Sequence, residues 1–141
     1  NIFFGHAGAI PKIAEGVAKT LPQKEKTILS KQFGGVDLSQ GQWQRIAISR
    51  GIKKDAPLIT FDEPTSAIDP LLEKVFFDEI LMNSGQRTKI IVTHRLGVAT
   101  QADRIVVMDR GKIVQEGDHN ALIQEEGIYK QMFDNQSKWY H

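Results

Sequence analysis

The hydrophobic residues of the chain fall into segments with helical spacing and short β-rich runs, separated by turn residues. The predicted helices are 10–20, 39–54, 70–81, 119–124 and 128–138. The predicted strands are 58–61, 88–93, 104–108 and 112–115. Residues 21–37 have no sustained period and contain Pro22 and the pair Gly34-Gly35, so we expect an exposed loop there. Because strands alternate with helices, the pattern predicts an α/β fold with a largely parallel sheet.

Composition narrows the class of protein. The chain has 141 residues, 40% of them hydrophobic, which is enough for the core of one ordinary domain. Its formal charge is +1, whereas a nucleic-acid binder usually has a strong excess of basic residues. The chain contains no cysteine, so it has neither a disulfide nor a thiolate site. The apolar runs are far shorter than the roughly 20 residues of a membrane helix. Because the chain opens at Asn1 rather than Met, we expect a piece of a longer protein.

Two predicted strands end in polar, titratable residues. Asp62-Glu63 follow the first strand and Thr93-His94 end the second. In open parallel sheets, the ligand crevice lies beyond the carboxyl ends of the strands. One carboxylate of the pair could hold a cation such as Mg²⁺ while the other acts as general base on a water. A surface acidic pair before a turn is the alternative interpretation.

A polar segment precedes the second predicted helix. Leu38-Ser39-Gln40-Gly41-Gln42 bring a hydroxyl, a flexible glycine and two amides to the helix start. Unpaired backbone N–H groups and the helix macrodipole attract phosphate at such a position. An ordinary Ser cap with a turn glycine explains the same five residues without a ligand.

Together these segments resemble the ATP-binding-cassette ATPases. Residues 38–42 look like the signature of that family, 58–63 like its Walker B motif, 66–69 like its D-loop and His94 like its switch histidine. They follow the order and the intervals of the family. The flanking residues and the tail from residue 102 look like the branch of exporters whose membrane and ATPase domains share one polypeptide.

The resemblance implies an incomplete P-loop NTPase (RecA-like) parallel-sheet core with part of the helical subdomain. Residues 1–54 would be the remnant of the helical subdomain, and 55–141 the C-terminal part of the ATPase core. In this family two ATPase domains pair head to tail around ATP and Mg²⁺. The implied partners are therefore a second ATPase domain and the transmembrane domains of an exporter, at the cytoplasmic face of the cell membrane, without nucleic acid.

The resemblance also implies roles for the signature residues. Ser39, Gly41 and Gln42 would contact the γ-phosphate of an ATP bound to the partner domain, through a hydroxyl, the backbone and an amide. Gln40 belongs to the same nucleotide-binding segment, but the family usually has glycine there. Because its side chain could crowd the turn or be harmless, we expect Gln40→Gly to leave activity unchanged or to reduce it.

The other implied site residues follow the two strands. Asp62 would support Mg²⁺ through its water shell, and Glu63 would polarise the attacking water as the catalytic base. His94 would hydrogen-bond the γ-phosphate and help to fix that water. Asp69 would link the two sites across the dimer, with assistance from Ser66.

The phosphate-loop pattern G-x-x-x-x-G-K-[ST] does not occur in the sequence. Under the resemblance, that loop would precede Asn1. A single preorganised donor to a developing anion is worth about 2.7–4 kcal/mol, and the loop supplies several. We therefore expect the isolated chain neither to bind ATP tightly nor to hydrolyse it. We also expect it to form oligomers or to be poorly soluble, because its sheet would lack neighbouring strands.

Two other functions are open to these residues. One is a non-catalytic module that docks to a complete ATPase and offers only its signature face. The other is a soluble chromosome-maintenance or DNA-repair ATPase, which shares the signature, Walker B and D-loop motifs. The absence of a heptad run or basic stripe, and the exporter-like tail, argue against the second.

Overall fold

The computed structural model describes residues 10–83 and 87–137. They form two compact units, one ending at Val92 and the other beginning at Thr93. The helices are α1 (Lys12–Thr20), α2 (Gln40–Lys53), α3 (Pro70–Asn83), α4 (Leu96–Ala99), α5 (His119–Leu122) and α6 (Ile128–Ser137). The strands are β1 (Leu58–Asp62), β2 (Thr88–Val92), β3 (Ile105–Asp109) and β4 (Lys112–Gly117).

Each predicted helix and strand has a counterpart in the structure, with bounds that differ by a few residues. Short α4 and two 3₁₀ turns, Lys24–Lys26 and Lys31–Phe33, were not predicted. The predicted last residue of the final helix, Lys138, and the opening residues 1–4 lie outside the described residues. Among the described helices, none is long and apolar enough to span a membrane.

The sheet of the first unit is a parallel pair, β1 and β2, in which Leu58 pairs with Thr88 and Asp62 with Val92. The carboxyl ends of the two strands are therefore level. Ile59 and Phe61 of β1 are buried, because alternate residues of a strand face one side of the sheet. The ring of Phe61 packs edge-on against Phe76 of α3, with ring centroids 5.6 Å apart. This pair confirms the predicted parallel sheet.

Helices α1 and α2 pack together through the apolar stripes that predicted them. Val17, Ala18 and Leu21 form one buried cluster with Ile46 of α2. The side chains packed at its margin are Ile10, Leu29, Val36 and Leu38. The segment 21–37, predicted as an exposed loop, is therefore partly buried: Leu21 and Thr27 are buried, and Leu29 and Val36 pack at the margin of this cluster.

The second unit contains an antiparallel hairpin, β3 and β4. Its turn residues Arg110 and Gly111 both have positive φ, 47° and 76°. Such a two-residue turn matches the twist of paired antiparallel strands. A parallel pair needs a crossover of a dozen residues or more, so among the described strands only β1 and β2 pair in parallel.

The core of the second unit is built on the hairpin and the last helix. Its buried residues are Leu96, Ile105, Val107, Leu122 and Tyr129. The Tyr129 hydroxyl lies 2.8 Å from Nδ1 of His119. Burial raises the pKa of Tyr129 above its ordinary value.

Candidate functional site

The start of α2 is fixed by its own side chains. Ser39 Oγ accepts a hydrogen bond from the Gln42 N–H at 3.3 Å, and Gln42 Oε1 accepts one from the Ser39 N–H at 2.9 Å. This is a capping box. Ser39 and Gln40 are exposed, so the positive end of the α2 macrodipole faces solvent within this unit.

The capping box is compatible with a phosphate ligand. Its two hydrogen bonds use the acceptor oxygens of Ser39 and Gln42. The hydroxyl proton of Ser39 and the amide hydrogens of Gln42 are donors that these bonds do not use. The N–H groups of the first helical turn have no carbonyl partner within the helix. The Ser cap and the anion site that the sequence offered as alternatives can therefore coexist.

Gly41 lies where α2 approaches the loop after β1. A Cβ built at Gly41 would stand 2.6 Å from the carbonyl oxygen of Ala67, which is closer than side chains tolerate. Gln40, where the family usually has glycine, is exposed. The close backbone contact thus requires glycine at position 41, and the crowding considered for Gln40 does not arise within this unit.

The two carboxylates at the end of β1 differ in environment. Asp62 is exposed, whereas Glu63 is half-buried and its Oε2 atom is shielded from solvent. Glu63 has a φ of 42°, in the left-handed region that non-glycine residues rarely adopt. Its N–H donates to the carbonyl oxygen of Val92 at 2.9 Å, and its own carbonyl oxygen accepts from the Ser66 N–H at 3.2 Å.

Asp62 could serve as a single carboxylate near a magnesium ion. Mg²⁺ is usually held by one or two carboxylates together with water and substrate phosphates. Among residues 10–83 and 87–137, no three His, Cys, Asp or Glu side chains are grouped as a metal site. A single exposed carboxylate at a strand end suits a cation that is carried mainly by phosphate and water.

Residues 66–69, which resemble the D-loop, lie directly before α3. Asp69 Oδ1 accepts hydrogen bonds from the N–H groups of Leu71 and Leu72, each at 3.1 Å. Asp69 thus has a helix-capping role, which the sequence analysis did not include. Ser66 is exposed, and its Oγ accepts a hydrogen bond from Gln44 Nε2 at 3.1 Å.

Gln44 joins the signature helix to the loop after β1. Its Nε2 also donates to the carbonyl oxygen of Glu63 at 3.2 Å, and its Oε1 accepts from the Ala67 N–H at 3.1 Å. Gln44 was not among the site residues predicted from the sequence. The helical pattern puts it on the polar side of α2, and only the tertiary approach of α2 to this loop gives its amide partners.

The structure therefore brings together, within the first unit, the start of α2 and the loop that follows β1. His94 belongs to the second unit, two residues beyond the end of β2. It is exposed, and its carbonyl oxygen accepts a hydrogen bond from Gln136 Nε2 of α6.

Comparison with known proteins identifies the class. Residues 9–66 match the ABC transporter family model, and these residues include the signature helix, β1 and the carboxylate pair. The structure of a bacterial Atm1-family ABC exporter with ATP bound superposes with a TM-score of 0.76 and 31% sequence identity, over 96% of this chain. The chain is thus similar to ABC transporters in both sequence and structure.

Individual relatives are exporters and transport proteins. The ATP-dependent lipid A-core flippase of Acinetobacter baylyi is 45% identical over 129 residues, which are 89% of this chain. The subtilin transport ATP-binding protein SpaT of Bacillus subtilis is 44% identical over 103 residues, 73% of this chain. The chain spans 22% of the length of the flippase, 17% of that of SpaT and 25% of the exporter structure.

Proposed function

We propose that this chain forms part of the ATP-hydrolysing domain of an ABC exporter, which couples ATP binding and hydrolysis to transport across a membrane. The relatives at 44–45% identity are named for ATP-dependent or ATP-binding transport. The observation that carries the proposal is the contact between a capped helix start and the loop bearing Glu63, in the segment that matches the family. Transport by this protein is inferred from these relatives.

The start of α2 would bind the γ-phosphate of ATP held by a second ATPase domain. Ser39 would donate its hydroxyl proton, Gln42 its amide hydrogens and Gly41 its backbone N–H. The capping box supports this role because it uses the acceptors of Ser39 and Gln42 and not these donors. Gln40, exposed beside them, would line the same nucleotide-binding segment.

Glu63 would act as general base toward the attacking water. Its backbone hydrogen bonds to Val92 and Ser66 fix the main chain at Glu63, which favours a positioned base. Asp62 would contact the water shell of Mg²⁺, and the ion would neutralise charge on the transferred phosphoryl group. The difference in exposure between Asp62 and Glu63 supports this division of roles.

His94, Ser66 and Asp69 complete the proposed site. His94 would hydrogen-bond the γ-phosphate, and Asp69 would contact the second domain with assistance from Ser66. The exposure of all three residues is compatible with a ligand or partner surface. Asp69 would do so while its Oδ1 atom caps α3.

The proposed assembly pairs two ATPase domains with the transmembrane domains of an exporter, at the cytoplasmic face of the membrane. Residues 1–54 would belong to the helical subdomain and 55–141 to the ATPase core. The 141-residue chain alone would be inactive, because it has no G-x-x-x-x-G-K-[ST] phosphate loop.

The test is ATP turnover by the full-length protein that carries this chain, with Glu63→Gln. We expect kcat to fall by about 100- to 10,000-fold, because the general base is lost while the shape of the side chain is kept. ATP binding, measured by equilibrium filtration, should persist. Glu126→Gln, at an exposed glutamate in the second unit, is the control and should leave turnover unchanged. Unaltered turnover in Glu63→Gln would refute the role of Glu63.

A further inference from the structure

We propose that Gln44 is a positioning residue for ATP hydrolysis. Gln44 holds the backbone of Glu63 so that the Glu63 carboxylate is oriented toward the attacking water. This inference rests on the proposed function of Glu63. It adds a residue of the signature helix whose side chain acts within its own domain, in contrast to the Ser39 and Gln42 donors, which act on the partner's nucleotide.

The amide of Gln44 satisfies three groups of the loop after β1. Nε2 donates to the carbonyl oxygen of Glu63 at 3.2 Å and to Oγ of Ser66 at 3.1 Å. Oε1 accepts from the N–H of Ala67 at 3.1 Å. Both ends of one half-buried amide are therefore bound to the turn that runs from Glu63 to Ala67, so this side chain bridges α2 and the turn like a clamp.

The turn that Gln44 holds is strained. Glu63 is a non-glycine residue with a φ of 42°, a conformation that is energetically unfavourable and persists only where its surroundings fix it. Its N–H is bound to the end of β2 at Val92, and its carbonyl oxygen is bound to the Ser66 N–H. Gln44 supplies the second bond to that carbonyl oxygen and the contact that ties the turn to α2.

The helix backbone is held at a fixed distance from the same loop. Gly41, one turn before Gln44, leaves no room for a Cβ against the carbonyl oxygen of Ala67. Because α2 and the loop approach closely there, the Gln44 amide lies within hydrogen-bond distance of its three partners. The position of α2 therefore determines where the Gln44 amide lies, and through the hydrogen bonds of that amide it determines the position of the Glu63 backbone.

Removal of the amide should slow catalysis more than it weakens nucleotide binding. Gln44→Met keeps the length and the helix propensity of the side chain but removes its donors and its acceptor. In the full-length protein we expect kcat to fall by about 10- to 100-fold, as for a misplaced catalytic group, while KM for ATP changes less than about threefold. Gln131→Met, at an exposed glutamine of α6, is the matched control and should keep kcat unchanged.

A double variant separates positioning from a general structural defect. If Gln44 acts through Glu63, then adding Gln44→Met to Glu63→Gln should change the residual turnover of radiolabelled ATP by less than about twofold, because effects through one group are not additive. An independent structural role would multiply the two losses. A further tenfold fall in the double variant, or an unchanged kcat in the single variant, would overturn the proposal.

A second substitution keeps the test decisive if Gln44→Met does not fold. Gln44→Glu retains the acceptor for Ala67 N–H and can accept from the Ser66 hydroxyl, but it presents oxygen to the carbonyl oxygen of Glu63. We expect the same fall in kcat with retained thermal stability, and wild-type kcat would contradict the proposal. If Glu63→Gln is itself fully active, the proposed function fails; if only the Gln44 variants are active, the clamp alone fails.

Discussion

At the scale of single residues, the backbone at position 41 decides how closely α2 can approach the loop after β1. The built Cβ of an alanine would stand 2.6 Å from the Ala67 carbonyl oxygen, whereas the Cβ at Gly51 on the same helix would stand 3.5 Å from Ile59 Cδ1. The second distance is an ordinary van der Waals contact. One helix thus offers a forbidden and a permitted alanine position.

We therefore expect opposite effects from alanine at these two positions. Gly41→Ala should lower the free energy of unfolding by about 1–3 kcal/mol, since backbone must move to relieve the overlap. Gly51→Ala should raise it by up to about 1 kcal/mol, because alanine is the better helix former. Urea unfolding of the chain, followed by far-UV circular dichroism, measures both. Equal effects of the two substitutions would contradict the close contact.

Tyr129 yields a prediction that depends on pH. At neutral pH, Tyr129→Phe removes the hydrogen bond with His119 and should cost about 1 kcal/mol of stability. Because burial raises the pKa of Tyr129 above 10.0, the unfolded chain loses this proton first as pH rises. The stability that neutral Tyr129 contributes is full below pH 10.0 and is lost as pH rises through the folded pKa.

The measurement is the difference in free energy of unfolding between wild type and Tyr129→Phe as a function of pH. It should stay constant at neutral pH and narrow as pH increases past about 10. A difference that widens in alkaline solution would show that the folded environment favours the ionised tyrosine, contrary to its burial.

At residue scale, the sequence indicated those candidate site residues that belong to a contiguous string. Residues 38–42 and the Asp62-Glu63 pair could be recognised because their chemistry and spacing are local. Gln44 could not, because its three partners lie 19 to 23 positions further along the chain. Its role depends on tertiary contact rather than on pattern.

At the scale of secondary-structure elements, several helix ends are held by residues from elsewhere in the chain. Glu79 of α3 is buried, and its two carboxylate oxygens accept hydrogen bonds from the N–H groups of Lys12 at 2.7 Å and Ile13 at 2.9 Å. A negative charge is thus fixed at the positive end of α1. At the C-terminal end of α2, the guanidinium of Arg87 donates to the carbonyl oxygens of Lys54 at 2.7 Å and Ile52 at 3.1 Å.

Because the Glu79 carboxylate caps α1, we expect even a conservative substitution of Glu79 to destabilise the fold. Glu79→Gln should lower the free energy of unfolding by about 1–3 kcal/mol, since an amide retains one acceptor and turns a donor toward a helix N–H. Glu15→Gln is the matched control, because the Glu15 carboxylate forms an exposed pair with Lys19 at 3.6 Å. That change should stay within about 0.5 kcal/mol in urea unfolding. An unchanged free energy of unfolding in Glu79→Gln would contradict a stabilising role for this cap.

The elements themselves could be predicted where a period extends over several residues. The amphipathic α1 and the strands β1 and β2 have that property, and the structure has them with bounds shifted by one or two residues. Helix α4 has only four residues, Leu96–Ala99, too few to show a period. Pairing direction followed from the turn: Arg110 and Gly111 in left-handed conformation give a hairpin rather than a parallel crossover.

At the scale of the whole molecule, one face of the β1–β2 sheet carries exposed apolar side chains. Leu58, Ile90 and Val92 are each about half exposed, at 48%, 47% and 52%. All three occupy alternate strand positions that face away from the buried Ile59 and Phe61. An apolar sheet face with short strands favours association with other protein surfaces.

We expect the isolated chain to self-associate through this face. Ile90→Lys should shift the chain toward monomer, because it introduces a charge at the middle of the face. Leu71→Lys is the control, since Leu71 is 84% exposed on α3 and lies on another element. Sedimentation velocity over a concentration series measures the effect. A wild-type chain that sediments only as monomer would contradict the expectation.

The central claim is that Ser39 of one ATPase domain acts on ATP bound to another, while Glu63 acts within its own domain. Two full-length variants, Ser39→Arg and Glu63→Gln, should each be inactive as homodimers. In a mixed dimer, one site would carry both lesions and the other neither. Differently tagged copies, co-expressed and purified through both tags, give the mixed dimer.

The most direct measurement is the ATP turnover of that mixed dimer. The account predicts that activity returns to a substantial fraction of the wild-type rate, because one complete site is rebuilt from the Ser39 of one copy and the Glu63 of the other. If Ser39 instead served the nucleotide of its own domain, each domain would carry one lesion. A mixed dimer as inactive as its two parents would therefore contradict the account.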